Sequence, residues 1–165
     1  MSGASNLLEG IGTGRIERIV VGKLAMEADL LEGILELVKR EGIRTGLILS
    51  AVGALRKATF RNVKRMPPDL KVKEEHRVYL QLNQPMEIVS LTGWVAAKEN
   101  GRVEVHAHFS ASTVMEDKVI TLGGHLTPGT TTSIKVVVAI AVIEESNIQA
   151  AVDSRIDQID LKLPT

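Results

Sequence analysis

Cysteine is absent from all 165 residues. That excludes disulfides, thiolate metal ligands and a cysteine nucleophile, and it suits a reducing cytoplasm. Aromatic residues are nearly as scarce. Only Phe60, Tyr79, Trp94 and Phe109 occur, so a core has to be assembled from Val, Ile, Leu and Ala, and stacking platforms for single-stranded nucleic acid are missing. Net charge is absent too: twenty basic residues balance twenty acidic ones, whereas a protein that lives on DNA carries a basic excess. The apolar run Val136–Ile143 covers eight residues, too few to cross a bilayer. The first ten residues lack the basic-then-apolar pattern of a secretory leader. A cytoplasmic protein without a membrane segment is expected.

What is present is a globular composition, 44% apolar, in a length that suits one domain with a sizeable core. The most informative stretch lies between Arg102 and Thr130. It holds three of the four histidines, His106, His108 and His125, the last directly after Gly123-Gly124. Around the first two, Val103, Val105, Ala107 and Phe109 alternate with Glu104, His106, His108 and Ser110. This is the period of a strand, and it points both imidazoles to one face. Same-face neighbours sit roughly 6.5–7 Å apart at Cα, so both rings can converge on one ion held about 2.0–2.1 Å from each nitrogen. His125 can supply a third ligand if Val119–Leu122 returns beside the first strand and the glycine pair turns sharply.

Histidines also occur simply as hydrogen-bonded side chains, but a same-face pair with a third on the adjacent segment favours a metal. Three imidazoles suit zinc, with nickel, copper or iron as the other ions of this ligand class. Three protein ligands leave a position open for water or substrate. Glu104 shares the histidine face, which makes it a candidate for proton transfer or substrate support.

Residues 1–14 are small and glycine-rich and are expected to form a flexible arm. Gly10, Gly12 and Gly14 lack the strand and the Gly-Lys-Ser/Thr of a phosphate loop. Arg15–Met26 reads as a strand. Asp29, with Glu32 three residues later, opens a helix that should end at Gly42, its apolar face made of Leu30, Leu31, Ile34, Leu35, Leu37 and Val38. Such a helix would cover one face of a sheet.

Thr45–Leu55 reads as a buried strand bent at Gly53, continued by Arg56–Arg61. From Arg56 to Arg77 eight Lys or Arg stand against three acids. With Pro67-Pro68 and no apolar period, much of this stretch should be an exposed basic loop, His76 included. Further strands are expected at Val78–Leu82, Met86–Ala97, Arg102–Ser112, Val119–Leu122 and Ser133–Ile143. Turns are expected at Glu99-Asn100-Gly101, Met115–Lys118 and Pro128-Gly129. Ala150–Leu163 reads as an edge strand or docked tail.

Three segments in order, "DLLEGILELVKREGIRTGLILSAVGALRKATFR", "MEIVSLTG" and "VEVHAHFSAS" followed by "GGHLTPGT", resemble the plant-and-prokaryote-conserved (PPC) domain in its stand-alone prokaryotic form. The resemblance spans residues 15–145 and leaves 146–165 as a C-terminal strand or tail of the same domain. It implies an α+β fold, a largely antiparallel sheet with one main helix packed across it, assembled as a homotrimer. It also implies a zinc-type site on His106, His108 and His125, and it sets Arg56, in "GALRKA", on the family's arginine near that site. Plant members join this domain to an AT-hook that enters the DNA minor groove. No such element occurs here, and "QPMEIV" replaces their Gly-Arg-Phe-Glu-Ile-Leu contact motif.

Two functions follow from these observations. One is a metal-binding homotrimer that binds a small molecule or acts as a metal-dependent enzyme, with Glu104 or Arg56 supporting the chemistry. The other is a DNA-associated or transcription-related interaction module without an AT-hook, whose direct DNA binding would be weak or absent.

Overall fold

The computed structural model describes residues 7–164. Residues 1–6 of the expected arm lie outside the described residues. In chain order the elements are β1 (Arg15–Leu24), α1 (Leu30–Arg40), β2 (Thr45–Val63), a 3₁₀ turn at Glu74–His76, β3 (Arg77–Leu82), β4 (Met86–Ala97), β5 (Val103–Met115), β6 (Lys118–Leu126), β7 (Thr131–Glu144), β8 (Gln149–Asp153) and β9 (Gln158–Lys162). The fold is α+β, as the sequence implied: antiparallel strands dominate and, among the described residues, a single α-helix crosses them.

Seven strands form the main sheet in the order β1-β7-β2-β4-β5-β6, with β3 also paired to β2. β2 is the axis of this arrangement, 19 residues long. Its first half pairs with β7 and β4, and its second half with β3 and, at Phe60 and Arg61, with β6. The sheet therefore curls until β6 returns to β2. The register shifts between Gly53 and Leu55, at the bend expected from the glycine.

α1 forms where the sequence placed it. Asp29 caps it, its Oδ1 accepting from the Leu31 and Glu32 amides at 3.0 and 3.1 Å. Asp29 Oδ2 also accepts from the Gly129 amide at 2.6 Å, which pins the helix start to the β6–β7 turn. Gly42 ends the helix region with φ of +63°, a conformation that side chains resist. The buried stripe Leu30, Ile34 and Val38 lies on the inner face of the sheet with Val20, Leu24, Val136, Val138 and Ile140. Farther along the interior, Phe60 and Phe109 stack at 4.8 Å.

The outer face of β1, β7 and β2 is different. Val21 opposes Ala139, Val52 opposes Val137, and Leu47 opposes both Ala141 and Trp94. Val21 and Val52 are 65% and 71% exposed, so an apolar strip runs across this face towards Trp94 and, opposite it on β5, His106.

Two expectations need correction. Gly123-Gly124 makes no turn: β6 continues through both residues to Leu126. Glycine is needed there because β2 passes against β6, and a Cβ on Gly124 would stand 2.9 Å from the Arg61 carbonyl oxygen. His76 is buried, 7% exposed, because its Nδ1 accepts from the Lys73 amide at 3.0 Å within the 3₁₀ turn. The basic stretch is as expected, a strand through Arg61 that runs on to Val63, followed by a largely exposed loop over residues 64–73.

The C-terminal segment is a hairpin, β8 against β9. Residues 7–14 have no regular secondary structure; the Ile11 amide donates to the Pro164 carbonyl at 2.9 Å, and Thr13 N to Asn147 Oδ1 at 3.0 Å. Among the described residues no helix is long and apolar enough to cross a membrane.

Candidate metal centre

Strand alternation buries Ala107, Phe109 and Ala111 on the inside of β5 and turns His106 and His108 outward. His125 is the residue on β6 directly opposite His108, and it also faces Arg61 on β2. One imidazole nitrogen from each histidine lies within 4.8 Å of the others. His106 Nε2 and His108 Nε2 are 3.2 Å apart. Two nitrogens bound about 2.0–2.1 Å from a tetrahedral ion stand roughly 3.3 Å from each other. The His125 ring is edge-on to both neighbours, at interplanar angles of 85° and 89°. The donor set and spacing fit a divalent transition metal, which these three residues would hold.

All three imidazoles are held in the neutral form that binds metals. Burial is the main cause at each. It lowers His106 with help from His108, although the Asp160 carboxylate opposes it. His108 is lowered by burial and by the Arg61 charge. His125 falls to about 3, through burial and then the charge of Arg61, the other two histidines and Arg77.

Beside the histidines lies a cavity of about 400 Å³, walled by His106, His125, Trp94, Glu104 and Arg61 on the sheet and by Ile156, Gln158, Ile159 and Asp160 from the C-terminal hairpin. Trp94 stacks on His106 with ring centres 5.2 Å apart. Glu104 is on the wall as its strand parity predicted, but it is ion-paired with Lys98. Arg56 is not on the wall. It pairs with Glu27, five residues before Arg61 and so about 16 Å away along an extended strand.

Arg61 is the functional candidate that sequence reasoning passed over. Its only local signal was membership of a basic stretch; its partner His125 is brought beside it by the closure of β6 on β2. The hairpin residues Gln158 and Asp160 were equally hidden, because nothing in their sequence specifies where β9 docks.

A family model described as the Plants and Prokaryotes Conserved (PCC) domain matches residues 11–144. Among solved structures, a metal-containing protein from Archaeoglobus fulgidus is similar over 92% of this chain and 98% of its own, with a TM-score of 0.72 and 23% identity. A plant- and prokaryote-conserved (PPC) protein from Pyrococcus horikoshii matches over 95% and 100%, with a TM-score of 0.67 and 23% identity. A Bacteroides thetaiotaomicron protein named a putative DNA binding protein matches over 90% and 94%, with a TM-score of 0.70 and 19% identity. At these identities the likeness is one of fold. No curated protein matches the sequence.

Proposed function

This chain belongs to the Plants and Prokaryotes Conserved (PCC) domain family, and we propose that it is a zinc-binding homotrimer whose histidine cavity receives a small molecule, as a binding protein or a metal-dependent enzyme. The convergence of His106, His108 and His125, with His106 and His125 lining a cavity, carries this reading. A structural ion needs four protein ligands, whereas three beside an open space leave room for a ligand or substrate. A bound divalent ion would supply Lewis acidity to a carbonyl or carboxylate oxygen. Glu104 faces the same space, so proton transfer at the cavity falls to it once Lys98 releases its carboxylate. Arg56 is paired with Glu27 and does not line this cavity. The metal-containing relative from Archaeoglobus fulgidus supports the reading.

Self-association is supported by the apolar outer face. Ile19, Val21, Leu47, Leu49 and Val52 are all exposed there, and an uncovered strip of this kind marks an interaction surface.

The DNA-associated alternative draws on the name of the Bacteroides relative. The basic stretch offers it little. Arg56 pairs with Glu27, Lys71 with Asp157 and Arg77 with Glu74, which engages three of its eight cations, and the chain as a whole has no net positive charge to draw a phosphate backbone. Direct DNA binding is therefore expected to be weak and strongly salt-dependent.

The test is elemental analysis of untagged protein together with native mass spectrometry. About one zinc per chain in a trimer is expected, and the double variant His106→Ala/His108→Ala should lose the metal and keep the trimer. A trimer that cannot be loaded with zinc would sink the metal reading. Dissociation of the double variant would give the ion a structural role instead.

A further inference from the structure

Arg61 enters the histidine site from a strand that carries no histidine. It stands opposite His125 on one side and Tyr79 on the other. Its guanidinium is partly buried and forms no ion pair with any carboxylate among the described residues. Its neighbours are all engaged. Arg77, 14% exposed, is paired with Glu74 and donates to Gln158 Oε1 at 3.1 Å. The Tyr79 hydroxyl donates to Glu74 Oε2 at 2.8 Å. Glu104 is taken by Lys98.

The other carboxylate on the wall, Asp160, is exposed and accepts from the Leu161 amide at 2.7 Å. Its charge acts on His106, while Arg61 and Arg77 act on His125. Arg61 acts on His106 too, where Asp160 opposes it, whereas no carboxylate is among the causes acting on His125. A guanidinium stays charged even when desolvated; burial and the nearby Arg77 charge weaken its hold on the proton, and Tyr79 and Glu74 offset this only in part. The nearby carboxylate, Glu74, is shared with Arg77 and Tyr79 and makes no ion pair with Arg61; an incompletely paired, partly buried cation is costly, and an anion in the cavity would offset that cost.

We propose that Arg61 is the anion-recognition residue of the histidine cavity, and that its ligand is a small carboxylate which lies on the Arg61 guanidinium and directs a neighbouring oxygen to the point faced by the three imidazoles. The planar fork of arginine matches a carboxylate bidentately. Trp94, Val105 and Ile159 supply the apolar part of the wall, and about 400 Å³ lies in the range of small-ligand sites. The second contact rests on the metal reading above; the contact with Arg61 does not.

Trp94 is the sole tryptophan and lines this cavity, so its fluorescence reports occupancy with or without metal. Lactate, a carboxylate with an adjacent oxygen, and methylphosphonate, the competing oxyanion, are titrated into the full chain, metal-free and loaded with Co(II), whose visible absorption is followed in parallel. Lactate should give a saturable change in both forms, tighter with Co(II), and should bind more tightly than methylphosphonate. Arg61→Gln should weaken lactate at least tenfold with cobalt stoichiometry unchanged, and Arg61→Lys should fall between the two. A flat response to lactate in the cobalt protein, or lactate binding by Arg61→Gln as tight as in the parent, overturns the proposal. Tighter binding of methylphosphonate overturns the assignment to a carboxylate. If Co(II) does not bind but an Arg61-dependent response to lactate persists, Arg61 is supported and the metal reading fails.

Discussion

His125 and His108 are directly opposed across the β5–β6 pair, yet the cation that acts most strongly on His125 is on neither strand: Arg61 faces it from β2. The electrostatics of the centre are therefore set by the closure of the sheet, and much of its behaviour can be tested by acid, by strand spacing and by subunit contacts.

The acid response follows from His125. In the unfolded chain its imidazole titrates near 6.5, and in the folded metal-free protein near 3. Between those values the unfolded chain holds a proton that the native state lacks, so this residue costs nothing above about pH 6.5 and lowers stability progressively as the pH falls towards 3. Urea unfolding of metal-free protein at pH 7.5 and pH 5 should show a larger loss for the parent than for His125→Gln. Parallel losses would mean that the fold does not depress His125.

Helix attachment depends on Asp29. Its carboxylate serves the Leu31 and Glu32 amides with one oxygen and the Gly129 amide with the other. Asp29→Ala removes a cap and leaves the loop amide without its partner, a loss of about 2 kcal/mol. For a chain of this size the melting temperature should drop by roughly 4–8 °C. Calorimetry showing no drop would refute the double role.

Strand spacing at the centre depends on Gly93. A Cβ there would come within 2.1 Å of the His106 carbonyl oxygen and 2.7 Å of Ala107 Cα. Gly93→Ala has to push β5 away from β4, at a cost of about 1–3 kcal/mol. Because the displaced residue is His106, zinc affinity should fall together with stability, which competition with a chromogenic chelator would reveal. Unchanged affinity in the folded variant would count against His106 as a ligand.

Subunit association should depend on the outer face. Val21→Glu with Val52→Lys places charges on two strongly exposed valines of the strip. Light scattering should report monomer, and zinc should remain bound, because all three histidines belong to one chain. A trimer surviving both changes would place the interface elsewhere.

Much of the local structure was legible in the order of residues. Asp29 and Gly42 bracket α1 because caps depend on a few neighbouring amides and on φ at one residue. Glu99-Asn100-Gly101 and Met115–Lys118 join hairpins where expected, the latter through left-handed Glu116 and Asp117. Alternation put His106 and His108 on one face.

Everything that rests on distant strands was not legible. Gly123-Gly124 has the composition of a turn, and only the approach of β2 shows that small residues are needed in a straight strand. His76 looked exposed amid charges, but the 3₁₀ turn folds it inward. Arg56 and Arg61 belong to the same basic stretch, and pairing with β6 sets Arg61 alone beside His125. The sequence by itself determined the helix, the strand period and the imidazole face, because these are properties of neighbouring residues. Which strand closes on which, and hence which cation and which hairpin wall the cavity, was decided by packing the whole sheet around β2, since pairing partners are chosen by a core that no short segment contains.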